Sequence, residues 1–237
     1  MANCITRHIP NTLTCSNLVS GCVATHFAFQ GNYQTAFLFI ILGAVFDFFD
    51  GMSARLLGVS SPIGKELDSL ADIVTFGVAP SAMIYSLLFT MTWPACLGTE
   101  VGEVMPFFAF VMAAFSALRL AKFNLDERQS TSFIGLPTPA NALFWGSLIV
   151  GIGDSLPSSS WLTILLLFWV MMMSWLLIAE IPMFALKFKH WGWRGNEVKY
   201  IFVLTTIPLV LLLGWIGVAV VIVWYVLLSM ISSKLIN

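Results

Sequence analysis

The sequence predicts an all-α, polytopic membrane bundle of about eight transmembrane helices with both termini on the cytoplasmic side. Three observations lead there. Of 237 residues, 59% are hydrophobic and only 10% charged, against about 25% charged in soluble domains. Apolar runs of membrane-spanning length recur along the whole chain. Counted as eight spans, the chain places all 11 Lys and Arg at one set of helix ends, while the opposite loops hold only Glu100, Glu103 and Asp154. That is the distribution of the positive-inside rule.

A bilayer core takes about 20 apolar residues per helix. The first span falls near 14–30; Arg7 and the polar "HIPNTLTCSNLVSG" before it do not make a cleavable signal. The second, 34–56, ends in acidic residues, and the third, 65–90, begins with them. Ser61-Pro62 opens the third in the manner of a helix start, serine at the N-cap and proline in the first turn. The fourth, 104–122, closes on Arg119 and Lys122; the loop Gly135-Leu136-Pro137-Thr138-Pro139 leads into the fifth, 138–153; the sixth covers 161–186. The stretch 200–232 is long for one span, and Pro208 with Gly214-Trp215-Ile216-Gly217 divides it in two. A seven-span count puts Lys234 on the wrong side.

Cys4, Cys15, Cys22 and Cys96 lack metal-site spacing and read as small apolar residues. His8, His26 and His190 are scattered and carry no chemistry. "KFKHWGWRGNEVKY", 187–200, mixes cations with aromatics as an interfacial anchor does. No basic tract or acidic tail suggests nucleic acid.

The informative stretch is "DFFDGMSARLLGVSSPIGKELDSLAD", residues 47–72. Asp47, Asp50, Gly51 and Ala54 follow i, i+3, i+4, i+7 and share a helix face; Gly64, Asp68 and Asp72 follow i, i+4, i+8 and share another. A carboxylate at a helix centre costs roughly 2.5–3.5 kcal/mol, so four unpaired ones cost on the order of 10. Pairing with Arg55 and Lys65 in a solvated loop is the ordinary reading. It leaves unexplained why four aspartates form two facing stripes. The sharper reading is a divalent metal site, since all-oxygen ligands favour Mg, Mn or Ca. Gly51, Ala54 and Gly64 clear space for a ligand beside the acids, and metals among carboxylates with a nearby arginine suit a pyrophosphate.

The spacing Asp47-x2-Asp50-Gly51-x2-Ala54-Arg55-x8-Gly64-x3-Asp68-x3-Asp72 resembles, without a departure, the signature of the CDP-alcohol phosphotransferases. "IPNTLTCSNLVSG", "DIVTFGVAPS" (72–81), "RLAKFN" (119–124) and "FIGLPTPANA" (133–142) are similar to the bacterial phosphatidylserine synthases of that superfamily. Lys122 stands where that branch usually has arginine. The resemblance covers residues 9–142; the last three helices add no motif.

It implies transfer of a phosphatidyl group from CDP-diacylglycerol to the hydroxyl of L-serine, with release of CMP. Asp47, Asp50, Asp68 and Asp72 are implied as ligands of Mg or Mn, and Asp72 also as the general base. Asn11, Thr14, Asp47, Gly51, Ala54, Arg55, Ser61 and Gly64 are implied in CDP-diacylglycerol binding, although Thr14 reads equally as a helix cap. Asn17, one turn deeper, reads as an interhelical polar contact. Arg119, Lys122 and Asn124 are implied around serine, although the cations also suit plain membrane anchors. A single membrane domain over 1–237 follows, with a six-helix catalytic core at 1–186 and an interfacial loop and two helices at 187–237. A homodimer in the bacterial cytoplasmic (inner) membrane, its active site facing the cytoplasm, is implied as well. The alternatives are a sister enzyme making phosphatidylglycerophosphate or phosphatidylinositol and, more distantly, a divalent-cation transporter.

Overall fold

The computed structural model describes residues 8–59, 61–126, 133–153, 159–184, 186, 192–193 and 195–236. Arg7, Arg128, Lys187, Lys189, Arg194, Cys4, His190, Asp154 and the Lys234 side chain lie outside the described residues, and so does most of the 187–200 tract.

Among the described residues, eight helices follow one another: α1 (Ile9–Phe29), α2 (Tyr33–Leu57), α3 (Pro62–Thr90), α4 (Glu100–Leu125), α5 (Thr138–Ile152), α6 (Ser160–Ile178), α7 (Glu197–Leu213) and α8 (Trp215–Ile236). Five of them, α2, α3, α4, α6 and α8, are long and apolar enough to cross a membrane. α5 is apolar but shorter. The core runs through Phe37, Ile40, Phe76, Met83, Trp145 and Leu177, while leucines, valines and phenylalanines of α2, α6 and α7 remain exposed on the outside, as a lipid-facing surface requires.

Local chemistry explains the helix ends. The Asn32 side chain caps α2 by accepting from the Thr35 amide at 3.2 Å, and Gly58, at φ 61°, ends it in the left-handed region. Ser61 Oγ accepts from the Gly64 amide at 3.0 Å, with Pro62 in the first turn, as expected. Gly214, at φ 57°, breaks the chain between α7 and α8 where the sequence placed the division. A Cβ on Gly217 would stand 2.5 Å from the Leu209 carbonyl oxygen, so glycine lets the hairpin close.

Three expectations need correction. α3 is not uniform: residues Ile73–Val78 form a π-helical segment directly after Asp72, with the Ala79 amide donating to the Val74 carbonyl. Pro80 supplies the reason, since it has no N–H and its ring crowds the preceding turn; Ser81 Oγ satisfies the Gly77 carbonyl at 2.7 Å. α6 ends at Ile178, not 186. Its Leu176 carbonyl accepts from the Leu136 amide at 2.9 Å, the Ile181 carbonyl accepts from Gly135 at 2.9 Å, and Phe133–Ile134 pairs antiparallel with Pro182–Met183. This two-stranded ladder, absent from an all-α expectation, fastens the loop before α5 to the end of α6.

α1, α2 and α3 form the tightest unit. A Cβ on Gly21 would overlap Thr75, and one on Gly43 would stand 2.5 Å from Thr75 Cγ2 and 2.9 Å from Asn17 Oδ1. Two glycines thus let Thr75 wedge between α1 and α2. Its hydroxyl donates to the Asn17 carbonyl at 3.0 Å.

Candidate active site

The end of α2 and the beginning of α3 bring their acidic faces together. Asp47, Asp50 and Asp68 each offer an oxygen, and these oxygens lie within 4.8 Å of one another. Asp72, one turn beyond Asp68, is not part of that set; it is 8% exposed and accepts from Asn17 Nδ2 at 3.1 Å. Asp50, 6% exposed, accepts from the Thr14 hydroxyl at 2.6 Å. The hydrogen-bond partners from α1 are neutral, and among the described residues no lysine or arginine forms an ion pair with the four carboxylates. The solvated ion-pair reading therefore fails.

Thr14 is not a cap. It lies inside α1, its hydroxyl shared between the Pro10 carbonyl at 3.0 Å and Asp50. Asn17 is the interhelical contact expected, and its partner is Asp72, a pairing that the sequence did not specify. α1 thus places two polar side chains, three residues apart on one face, against two different carboxylates.

Beside the trio opens a cavity of about 460 Å³. Asn11, Thr14, Gly51, Ala54, Arg55, Ser61 and Gly64 all line it; of the residues expected around the nucleotide lipid, only Asp47 stands apart. Asp50 and Asp68 form its acidic wall. No atom lies within 4 Å of where a Gly51 Cβ would point, so that position is open floor. A Gly64 Cβ would stand 3.1 Å from both Asn11 Oδ1 and Ser61 Oγ. Lys65 also lines the cavity and donates to the Asn124 carbonyl at 3.0 Å. It offers a second cation beside the exposed Arg55.

The trio fits a divalent cation. All three donors are hard oxygens, and Asp68 Oδ1 is buried without a hydrogen-bond partner. An orphaned carboxylate oxygen facing two further carboxylates is the donor set that Mg or Mn satisfies.

The residues expected around serine do not converge. Arg119 is 7% exposed, its guanidinium 5.0 Å from the Phe123 ring centroid and near enough to interact electrostatically with Asp72. With the exposed Lys122 it also borders a small hollow against the end of α6, beside Glu180. Asn124 instead donates to Ser69 Oγ at 2.8 Å, tying α4 to α3. Sequence reasoning missed Tyr225 of α8, which interacts with Arg119 and donates to the Phe184 carbonyl at 2.9 Å. A single tyrosine in an apolar span gives no signal of its own.

Residues 7–232 match the family model described as CDP-alcohol phosphatidyltransferase. Curated relatives include the CDP-diacylglycerol–serine O-phosphatidyltransferase of Bacillus subtilis, 41% identical over 134 residues, 56% of this chain and 70% of that protein. The protein of the same name from Mycobacterium leprae is 34% identical over 188 residues, 74% of this chain and 57% of that one. The one from Saccharomyces cerevisiae is 43% identical over 115 residues, 45% of this chain and 38% of that one. The chain thus spans well under two thirds of the mycobacterial and yeast relatives.

Proposed function

The chain belongs to the CDP-alcohol phosphatidyltransferase family, and from that premise we propose that it transfers the phosphatidyl group of CDP-diacylglycerol to the hydroxyl of L-serine, giving phosphatidylserine and CMP. The observation that carries this reading is the convergence of Asp47, Asp50 and Asp68 beside a cavity lined by the residues expected to hold the nucleotide.

In this reading the cytidine diphosphate enters over Gly51, where nothing blocks the backbone, with Arg55 and Lys65 countering its phosphate charge at the mouth. Asp47, Asp50 and Asp68 hold Mg or Mn, which when bound neutralises the pyrophosphate. Thr14 fixes the Asp50 rotamer. Asp72, oriented by Asn17, takes the proton of the serine hydroxyl as that oxygen bonds to the phosphorus bearing the diacylglycerol. The bond from this phosphorus to the bridging oxygen breaks, and its electron pair leaves with CMP. Arg119 lies near enough to Asp72 to meet the serine carboxylate with a planar fork.

The same reading has the active site facing the cytoplasm in a bacterial cytoplasmic membrane, both termini on that side, six helices as the catalytic core and a homodimer as the assembly. The test is purified protein in detergent with CDP-diacylglycerol, Mg or Mn, and labelled L-serine. Label entering lipid with stoichiometric CMP, abolished by EDTA and restored by metal, is the expected result. CMP release only with glycerol 3-phosphate or inositol would move the chain to a sister branch, and no CMP from folded protein would overturn the transferase reading.

A further inference from the structure

The cavity beside the acidic trio is lined by α1, α2, α3 and the link between α2 and α3. It accounts for a nucleotide, and of the acceptor's contacts only Arg119 of α4 has been placed so far. A second set of groups lies on α5. Thr138 and Asn141 are wholly buried one helical turn apart, and Thr138 Oγ1, Asn141 Nδ2 and Asn141 Oδ1 have no hydrogen-bond partner. Other buried hydroxyls behave differently: those of Ser81, Ser116, Ser147 and Ser174 all donate to carbonyls of their own helices. Buried side-chain polar groups with no partner are rare and point to something that satisfies them.

The packing locates them. α5 lies against α2 and against the π segment that follows Asp72. Gly146 sits on Phe37 so closely that a Cβ would overlap the ring. The end of α5 and the start of α2 both meet the start of α8, Gly151 against Ile216 and Phe37 against Trp215, so α2 and α5 run antiparallel. From that contact Asp47 is about 15 Å along α2 and Thr138 about 12 Å back along α5, at 1.5 Å per residue. Thr138 therefore reaches the level of the acids to within a turn, and Asn141 stands about one turn deeper.

We infer that Thr138 and Asn141 form the recognition subsite of a small zwitterionic amino acid, on the α5 side of the acids and apart from the nucleotide cavity. A carboxamide donates to a carboxylate and accepts from an ammonium, and a hydroxyl does either. A neutral pair suits a ligand whose charges cancel, whereas an acceptor bearing a phosphate needs further cations. Trp145 Nε1, also without a partner, is about 10 Å beyond Thr138 along the helix, farther than one small amino acid seated on Thr138 and Asn141 extends. This subsite rests on the serine reading above and adds to it the residues that select the acceptor.

The test compares Thr138→Val and Asn141→Leu with Ser147→Ala, whose hydroxyl already serves the Phe144 carbonyl. Two quantities are read: the serine KM from CMP release, and the rise in melting temperature that serine produces in protein loaded with CDP-diacylglycerol. The first two variants raise the serine KM on the order of tenfold to a hundredfold, the range for a lost hydrogen bond in a buried site. They lose the serine-induced thermal shift and keep the KM for CDP-diacylglycerol; Ser147→Ala keeps everything. Thr138→Val preserves shape and decides the matter alone if Asn141→Leu does not fold. An unchanged serine KM and thermal shift mean that buried water fills the subsite, which overturns the proposal and leaves the function standing. An unaltered chain that ignores serine overturns the functional reading and the subsite with it.

Discussion

Thr14 Oγ1 donates to Asp50 Oδ2 at 2.6 Å, so a side chain of α1 sets the rotamer of a carboxylate on α2 that borders the cavity beside the acidic trio. Partners behind a metal ligand commonly govern affinity by about 10–100-fold. Thr14→Val keeps the shape and removes the bond. The metal concentration for half-maximal CMP release is expected to rise within that range, with the maximal rate at saturating metal largely recovered. A titration with Mg or Mn checks this; an unchanged half-activation point would show that Asp50 needs no such support.

Asp72 accepts from Asn17 and lies outside the trio. Asp72→Asn is therefore expected to lower turnover by on the order of 10²–10⁴, the usual contribution of a general base, while CDP-diacylglycerol binding survives. Near-normal turnover in this variant would remove Asp72 from the proton-transfer role.

Two glycines of the same helix should respond in opposite ways. Gly43→Ala drives a methyl group into Thr75 and Asn17, an overpacking that costs about 1–3 kcal/mol. Its melting temperature in detergent should fall. Gly51→Ala meets no atom and gains about 1 kcal/mol of helix propensity, so it should melt no earlier, yet narrow the cavity and raise the KM for CDP-diacylglycerol. Equal melting temperatures for the two variants would contradict the packing of Thr75.

Arg119→Ala should raise the serine KM by about tenfold or more, as expected for losing a charge-assisted bond, with a far smaller change for the lipid. Equal shifts in both constants would assign Arg119 to holding α4 in place.

Much of this was legible because helices convert spacing into faces. Asp47, Asp50 and Asp68 needed only a period of 3.6 to be set together, and Ser61-Pro62 and Gly214 carry their backbone geometry in their residue type. The places where reading failed depend on partners distant in the chain. Apolar composition continues past Ile178, and the span count ran through the one local stop signal, Pro182; what the sequence could not show is that amides of Gly135 and Leu136, some forty residues earlier, take up the carbonyls freed there. Asn17 and Tyr225 acquire meaning only from the helices packed against them. The π segment needed Pro80 to be read as a helix widener rather than an ordinary span residue.

α1 carries a consequence for how the protein is made. Its buried face holds Thr14, Asn17 and Ser20, and it is not among the helices apolar enough to cross a membrane. Leaving the translocon alone, such a segment gains little from lipid and partitions poorly. Against α2 and α3 the same side chains become ligands for carboxylates that are themselves unwelcome in hydrocarbon. The two liabilities cancel only when the three helices pack together, so the acidic pocket and the seating of α1 against α2 and α3 depend on the same contacts.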